Sequence, residues 1–100
     1  MAVKILMSWD IIPGREQEYF EFVVRELLPG MQRLGLETTD AWFTMYGEHP
    51  QIIAGAQMPN QQAMERVLDS TEWLNLTEQL LTFVTDFSYK IIPARKGFQL

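Results

Sequence analysis

The spacing between apolar residues changes repeatedly along this sequence, and the order of those changes restricts the fold more than any other feature. Four segments alternate between apolar and other residues, as strands do: residues 2–9, 38–46, 51–58 and 87–92. Two segments repeat their apolar residues every three or four positions, as amphipathic helices do: residues 20–34 and 64–87. The sequence therefore predicts the order strand, helix, strand, strand, helix, strand.

Proline, glycine and short polar residues mark the ends of these elements. Pro13-Gly14 separates the first strand from the first helix, and Gly35 is a typical residue for ending that helix. Pro29 lies inside the helical pattern and lacks a backbone N–H, so we expect a kink or a restart there. Asn60 is a suitable N-cap, and Asp69-Ser70-Thr71-Glu72 matches a capping box that restarts the second helix.

This order of elements is the split βαβ, or ferredoxin-like, arrangement. Right-handed crossovers place both helices on one face of the sheet, and each crossover skips one strand. The predicted fold is thus α+β, with a four-stranded antiparallel sheet in the order 4-1-3-2 and one domain over residues 1–100. This order leaves one face of the sheet without helices.

Apolar residues on both sides of several predicted strands suggest that the second face is also covered. The second strand has apolar or aromatic residues on each side, and the third and fourth strands each have isoleucine on both. An open apolar face would exceed the patches usual on monomers. We therefore predict a homodimer, sheet against sheet, which closes a two-chain α+β barrel. The alternative is a one-residue error in strand register, which exchanges the two faces.

Composition excludes several classes of function. The chain has no cysteine, which excludes disulfides, thiolate nucleophiles and cysteine-based metal sites. Its net charge of −5 is unsuited to general nucleic-acid binding. No signal peptide and no apolar run of about 20 residues is present, so we predict a cytoplasmic protein that does not enter membranes. The sequence also lacks the G-x-S-x-G, P-loop, G-x-G-x-x-G and H-E-x-x-H motifs.

Two segments carry a resemblance to a known superfamily. Trp9-Asp10, followed by Pro13-Gly14-Arg15-Glu16 and the aromatic pair Tyr19-Phe20, resembles the beginning of many dimeric α+β-barrel proteins. Ser70-Thr71-Glu72-Trp73 is similar to the restart of their second helix. The resemblance extends over the whole chain in element order and length. It implies the fold and the dimer more strongly than any reaction.

The superfamily includes antibiotic-biosynthesis monooxygenases, haem-degrading monooxygenases, NIPSNAP-like proteins, polyketide cyclases and lactone isomerases. Its haem-degrading members use an Asn-Trp-His set in which the histidine binds iron. This chain has one histidine, His49, in a predicted turn rather than on a helix. We therefore predict no haem, no other cofactor and no metal. In the related oxygenases, the substrate itself supplies electrons to dioxygen, which is what the resemblance implies for this chain.

The candidate site residues are aromatic or titratable. Walls of tryptophan and tyrosine stack flat organic molecules and offer polar tips, and the chain has three of each residue. The predicted substrate-binding residues are Trp9, Tyr19, Trp42 and Trp73. The predicted proton-handling residues are Asp10, Tyr46, His49 and Tyr89. Asp40 lies beside Trp42 as Asp10 lies beside Trp9, and apolar rings near a carboxylate can raise its pKa and make it a base. For each residue the alternative is structural: core or dimer packing for the rings, a turn for His49, and turn formation or capping for the two aspartates.

These residues support two kinds of function. The first is a cofactor-independent monooxygenase, cyclase or isomerase that acts on a small aromatic or polyketide-like compound. The second is a non-catalytic module that binds a small hydrophobic molecule, or that serves only for dimerisation. Both involve the homodimer, and the catalytic and binding hypotheses share an apolar pocket with a few polar groups.

Overall fold

The structure is a computed structural model that describes residues 1–46 and 49–94, with the side chains of residues 42–50 outside that description. The strands are β1 (Val3–Ile11), β2 (Glu37–Tyr46), β3 (His49–Met58) and β4 (Val84–Pro93). The helices are α1 (Glu16–Phe22), α2 (Leu28–Arg33), α3 (Gln61–Leu68) and α4 (Thr71–Leu80), with a π-helical segment (Val23–Leu27) between α1 and α2. None of the helices within the described ranges has the length and apolar character needed to cross a bilayer.

The strands form one antiparallel sheet in the order β2-β3-β1-β4, which confirms the predicted fold class and strand order. Along β1, alternate residues are buried on the helix side of the sheet: Val3, Ile5, Met7, Trp9 and Ile11. Met7 lies opposite Ala54 of β3 and Tyr89 of β4, so cross-strand neighbours share that face. The central strand β1 therefore provides the row of side chains on which the helices pack.

The first helical region runs without a break in right-handed conformation from α1 to α2. Leu28 donates its backbone N–H to the carbonyl of Val23, five residues back, so the turn before Pro29 is wider than an α-helical turn. In an α-helical turn the Pro29 ring would crowd the carbonyl four residues earlier, and the wider turn leaves room for it. The predicted restart also occurs, since α2 begins at Leu28. Val24 was expected on the buried stripe but is 67% exposed, because Val23 and Leu27 occupy the positions that face the sheet.

The second helical region begins and restarts at side-chain caps. Asn60 Oδ1 accepts a hydrogen bond from the Ala63 N–H at 2.8 Å, which confirms the predicted N-cap of α3. The restart also occurs where predicted, but Ser70 is the cap, with its Oγ accepting from the Trp73 N–H at 3.2 Å. The expected capping box does not form, because with Ser70 as the N-cap Glu72 is the second helical residue rather than the third; its carboxylate binds Arg33 on α2.

The end of α4 differs from the sequence expectation. The helical spacing continued to Phe87, yet α4 ends at Leu80 and Val84 is the first residue of β4. The Phe83 carbonyl accepts a hydrogen bond from the Ile12 N–H at 2.9 Å, and Val84 pairs with Ile11. Pairing with β1 therefore overrides the helical pattern, because a sheet partner is available at the point where the helix can end.

The helix-free face of the sheet is mixed rather than uniformly apolar. Among the described side chains, Leu6, Ile53 and Ile92 are half-buried apolar residues of this face. Polar residues lie among them, including the hydrogen-bonded pair Ser8 and Ser88, whose Oγ atoms are 3.0 Å apart. The isoleucines therefore occur on both faces of β3 and β4 as expected, whereas β1 alternates between a buried apolar side and a more polar one.

Candidate functional site

A cleft of about 530 Å³ lies between the first helical region and the sheet. Its volume falls within the range of small-molecule sites in proteins, roughly 300–1,000 Å³. The sheet side is formed by parts of β1, β2 and β3, and the helix side by α1, the π-helical segment and α2. The lining is mostly apolar, and its polar members are Trp9, Tyr19 and residues 38–40 of β2.

Small residues on the sheet side leave the space that the cleft occupies. Ala41 of β2 and Ala54 of β3 are cross-strand partners, and Ala54 also lies opposite Met7 of β1. Because short side chains stand opposite each other here, the helix above them has no bulky partner on the sheet. Gly55 follows on β3 and faces the other side of the sheet, where a Cβ atom would lie 3.1 Å from Asp40 Oδ2 and 3.2 Å from Leu6 Cδ2.

The helix side of the cleft is apolar and is centred on the π-helical segment. Val23 and Leu27, the first and last residues of that segment, both line the cleft. Phe20 and Leu28 also line it, yet they remain 49% and 45% exposed. These exposed apolar side chains indicate that the cleft communicates with solvent along this helix. π-Helical turns occur frequently at functional sites, which is consistent with this placement.

The first polar cluster is a buried pair of aromatic side chains. The Trp9 indole Nε1–H donates a hydrogen bond to the Tyr19 hydroxyl at 3.1 Å, and the two residues are only 2% and 3% exposed. Their rings meet edge to face, with centroids 6.4 Å apart. Burial raises the pKa of the Tyr19 hydroxyl above its ordinary value of 10.0, outweighing the opposite effect of the Trp9 hydrogen bond. Tyr19 therefore keeps its proton at neutral pH.

A second polar cluster lies at a bulge in β2, and its side chains point to the helix-free face of the sheet, away from the cleft. Thr38 pairs with Ala56 and Asp40 pairs with Gly55, so Thr39 is an extra residue in the strand. Lys4 Nζ binds Asp40 Oδ2 at 2.7 Å, and Thr39 Oγ1 donates to the same oxygen at 3.1 Å. The hydrogen bond from Lys4 is the main cause that lowers the pKa of the Asp40 carboxyl below its ordinary value of 3.8. Asp40 is therefore ionised and neutralised by Lys4 within this cluster.

The predicted binding residues separate in the structure. Trp9 and Tyr19 both line the cleft and bind each other. Trp73 is 5% exposed and belongs to the hydrophobic core, outside the residues that line the cleft. Trp42 lies on β2 in register with Ile53, and its side chain lies outside the described residues.

The predicted proton-handling residues are not gathered at the cleft by the described part of the structure. Asp10 is paired with Gln51 and Thr85 on the face of β1 away from the buried row, and Tyr89 is 54% exposed on β4. Tyr46 and His49 pair with each other in register, so His49 begins β3 instead of lying in a turn. Their side chains lie outside the description, and the turn residues 47 and 48 are not described.

Several lining residues were not selected from the sequence. Val23, Leu27, Ala54 and Thr39 carry no chemical signature of their own, and their role depends on the bulge in β2 and the wide helical turn. Asp40 was recognised as a carboxylate near aromatic residues, but its partner Lys4 lies 36 positions away in the sequence. Among residues 1–46 and 49–94, no three His, Asp or Glu side chains are grouped as a metal site requires.

Comparison with known proteins gives a clear fold and no sequence family. No family model matches the chain, and no curated protein matches its sequence. A NIPSNAP family protein from Agrobacterium tumefaciens shares 16% identity over 95% of this chain and 87% of its own, with a TM-score of 0.69. A NIPSNAP domain protein from Burkholderia xenovorans shares 14% identity over 99% of this chain and all of its own, also with a TM-score of 0.69.

SnoaB from Streptomyces nogalater, a cofactor-independent oxygenase solved as the N63A mutant, is similar in structure as well. It shares 15% identity over 96% of this chain and 95% of its own, with a TM-score of 0.72. The chain therefore has the fold of NIPSNAP proteins and of this oxygenase, as the sequence resemblance implied. At these identities the likeness concerns the fold and leaves the reaction to be inferred from the site.

The Tyr19→Phe substitution tests the buried pair. It leaves the N–H of the buried Trp9 without its partner, so we expect the free energy of unfolding to fall by about 1–3 kcal/mol. Tyr89→Phe removes a hydroxyl from an exposed side chain and is the matched control, with an expected change within about 0.5 kcal/mol. Urea unfolding of both variants measures the difference, and equal effects would contradict the buried hydrogen bond.

The Lys4–Asp40 ion pair predicts a pH dependence of stability. Because the folded-state pKa of Asp40 is lowered, its contribution is complete above the ordinary value of 3.8 and is lost as the pH falls through the folded-state value. Lys4→Gln should therefore reduce stability at pH 7 more than at pH 2. Asp40→Asn should remove the same pH-dependent part, and combining the two substitutions should add little to it. Urea unfolding at both pH values tests this, and parallel curves for wild type and variants would refute it.

Proposed function

We propose that this chain binds a small, planar, oxygen-bearing aromatic molecule in the cleft and promotes its reaction with dioxygen without a cofactor. The observation that carries this proposal is the apolar cleft with the Trp9–Tyr19 pair in its wall. An apolar site with few fixed polar groups is suited to a flat organic ligand, because burial supplies affinity while the polar groups fix orientation. The structural likeness to SnoaB supports the choice of oxygenation.

The proposed chemistry relies on the substrate as the source of electrons. A phenol-like or enolisable compound that loses its proton to solvent becomes an electron-rich anion, and this anion supplies the electrons that reduce dioxygen. One oxygen atom is added to a substrate carbon and the other leaves as water, so that a phenol becomes a quinone. The protein's contribution is to hold the compound in position, exclude water and stabilise the resulting anion. Tyr19 is suited to the last task, since a buried, protonated hydroxyl can donate to a developing oxyanion.

A second candidate is binding without turnover, and the electrostatics of the cleft favour it. Asp40 is the carboxylate among the described lining residues, but its side chain lies on the helix-free face, where Lys4 holds it as a paired anion. A carboxyl with a lowered pKa is a weak base, so it is poorly suited to remove a substrate proton. A cyclase or isomerase would need the same proton transfer and meets the same objection.

The Ala54→Leu substitution tests whether the cleft is the ligand site. A leucine at this half-buried position fills space between the sheet and the π-helical segment, so we expect binding of hydroxylated aromatics to weaken at least about tenfold. Ala63→Leu adds the same atoms at a half-buried position on α3, outside the cleft lining, and should leave binding unchanged. Calorimetric titration of a panel of naphthols and quinones measures both.

Oxygen uptake then separates the two candidates. With a bound naphthol, an oxygen electrode should record consumption that Ala54→Leu abolishes and Ala63→Leu preserves. Binding without oxygen consumption across the panel would reject the oxygenase and retain the binding module. Equal binding by wild type and Ala54→Leu would reject the cleft as the site for either function.

We also infer that two copies associate through the helix-free face, as the cytoplasmic dimer predicted from the sequence would. Leu6, Ile53 and Ile92 provide its apolar contacts. Sedimentation should give twice the chain mass of 11.7 kDa, and Ile53→Asp should give monomer. Val24→Asp changes an exposed helical residue and is the control that should stay dimeric. A wild-type monomer at micromolar concentration would refute the inference.

A further inference from the structure

We propose that Tyr19 donates a hydrogen bond to an unprotonated oxygen of the ligand, such as a carbonyl, quinone or enolate oxygen, and that Trp9 sets this preference. The proposal rests on the proposed function, because the ligand is the aromatic molecule inferred for the cleft. It adds the chemical class of the oxygen that is recognised and assigns the recognition to one hydroxyl group. In these terms Tyr19 contacts the ligand and Trp9 is a positioning residue.

The direction of the Trp9–Tyr19 hydrogen bond carries the argument. An indole N–H is a donor only, so the Tyr19 oxygen must be the acceptor in the 3.1 Å contact. A phenolic hydroxyl has one proton to donate, and accepting from Trp9 leaves that proton for a different partner. Within the described residues, Tyr19 donates no hydrogen bond of its own. A ligand oxygen in the cleft that accepts a hydrogen bond would be the partner for the Tyr19 hydroxyl proton.

The surroundings hold Trp9 in this orientation. Its ring stacks on Phe87, with centroids 5.9 Å apart and planes 16° from parallel. A bulge in β4 permits this contact, since Ser88 pairs with Ser8 and Thr85 with Asp10, leaving two residues opposite Trp9. Asp86, one of those two, has φ = 54°, the left-handed conformation typical of bulges. The bulge in β4 thus holds the ring of Trp9, whose N–H orients the Tyr19 hydroxyl.

The test compares two probes that share a ring system. 1,4-Naphthoquinone carries acceptor oxygens, whereas naphthalene has none, and both are titrated calorimetrically into the whole chain. Tyr19→Phe should weaken naphthoquinone binding about tenfold and leave naphthalene binding within about twofold. Tyr89→Phe, which removes an exposed hydroxyl, should change neither. In wild type, the carbonyl stretching band of the bound quinone should shift to lower frequency, and Tyr19→Phe should remove that shift.

The role of Trp9 is tested by Trp9→Phe, which keeps an aromatic ring but removes the N–H donor. The Tyr19 oxygen is then free to accept, so binding of 1-naphthol should strengthen relative to 1,4-naphthoquinone. This ratio is measured within one variant, so a general loss of stability does not alter it. Should Trp9→Phe fail to fold, the Tyr19→Phe binding ratio and the infrared band decide the proposal without it.

The two levels of inference fail in different ways. If wild type and Tyr19→Phe prefer naphthoquinone over naphthalene by the same ratio, with no shift of the carbonyl band, then Tyr19 is not the donor and the proposal is overturned while the cleft remains a ligand site. If folded wild type binds neither probe nor 1-naphthol, the proposed function is overturned together with this inference.

Discussion

The structure depends on one row of buried side chains along the central strand β1. These residues lie at alternate positions and are nearly inaccessible to water, with Ile5 and Ile11 at 0% and 1% exposure. Removing such side chains from water contributes about 1.5–3 kcal/mol each, which fixes the register of β1 because a shift by one residue would expose all of them. The helices cover this row, and strands β3 and β4 flank it. The cleft lies at one edge of the sheet surface that the helices cover.

The cleft exists because the sheet and helix surfaces do not match at that edge. Ala41 and Ala54 have short side chains, so the sheet surface is low at this point. The widened helical turn before Pro29 places Val23 and Leu27 above these two alanines. Closer to the other end of that helical region, Gly30 brings α2 against α4, where an added Cβ atom would lie 2.5 Å from Leu76 Cδ1. The first helical region is thus held tightly at α2 and spans open space before it.

The sequence predicted the fold well because period, turn residues and caps all indicated the same order of elements. It failed where pairing between distant segments decided the outcome. Val84 continued a helical pattern but joins β1 in the sheet, and Glu72 completed a capping motif but binds Arg33. For Val84 a partner far away in sequence replaced the local one, and for Glu72 the helix begins one residue later than the motif requires.

The candidate site was only partly predictable for the same reason. Trp9 and Tyr19 were selectable as aromatic residues with polar tips, and they do meet. Trp73 had equal chemical promise and is a core residue, because the apolar face of α4 turns it inward. Thr39 reaches the cleft through a strand bulge, which leaves no pattern in the composition of the segment.

The most direct measurement is methyl NMR of the whole chain titrated with 1,4-naphthoquinone. The account predicts that the largest shift changes arise at the cleft, from the methyl groups of Met7, Val23, Leu27 and Ala54. Leu6, Ile53 and Ile92 report on the opposite face of the sheet and should change least. Changes concentrated on those three residues, or no saturable change at the cleft methyl groups, would contradict it.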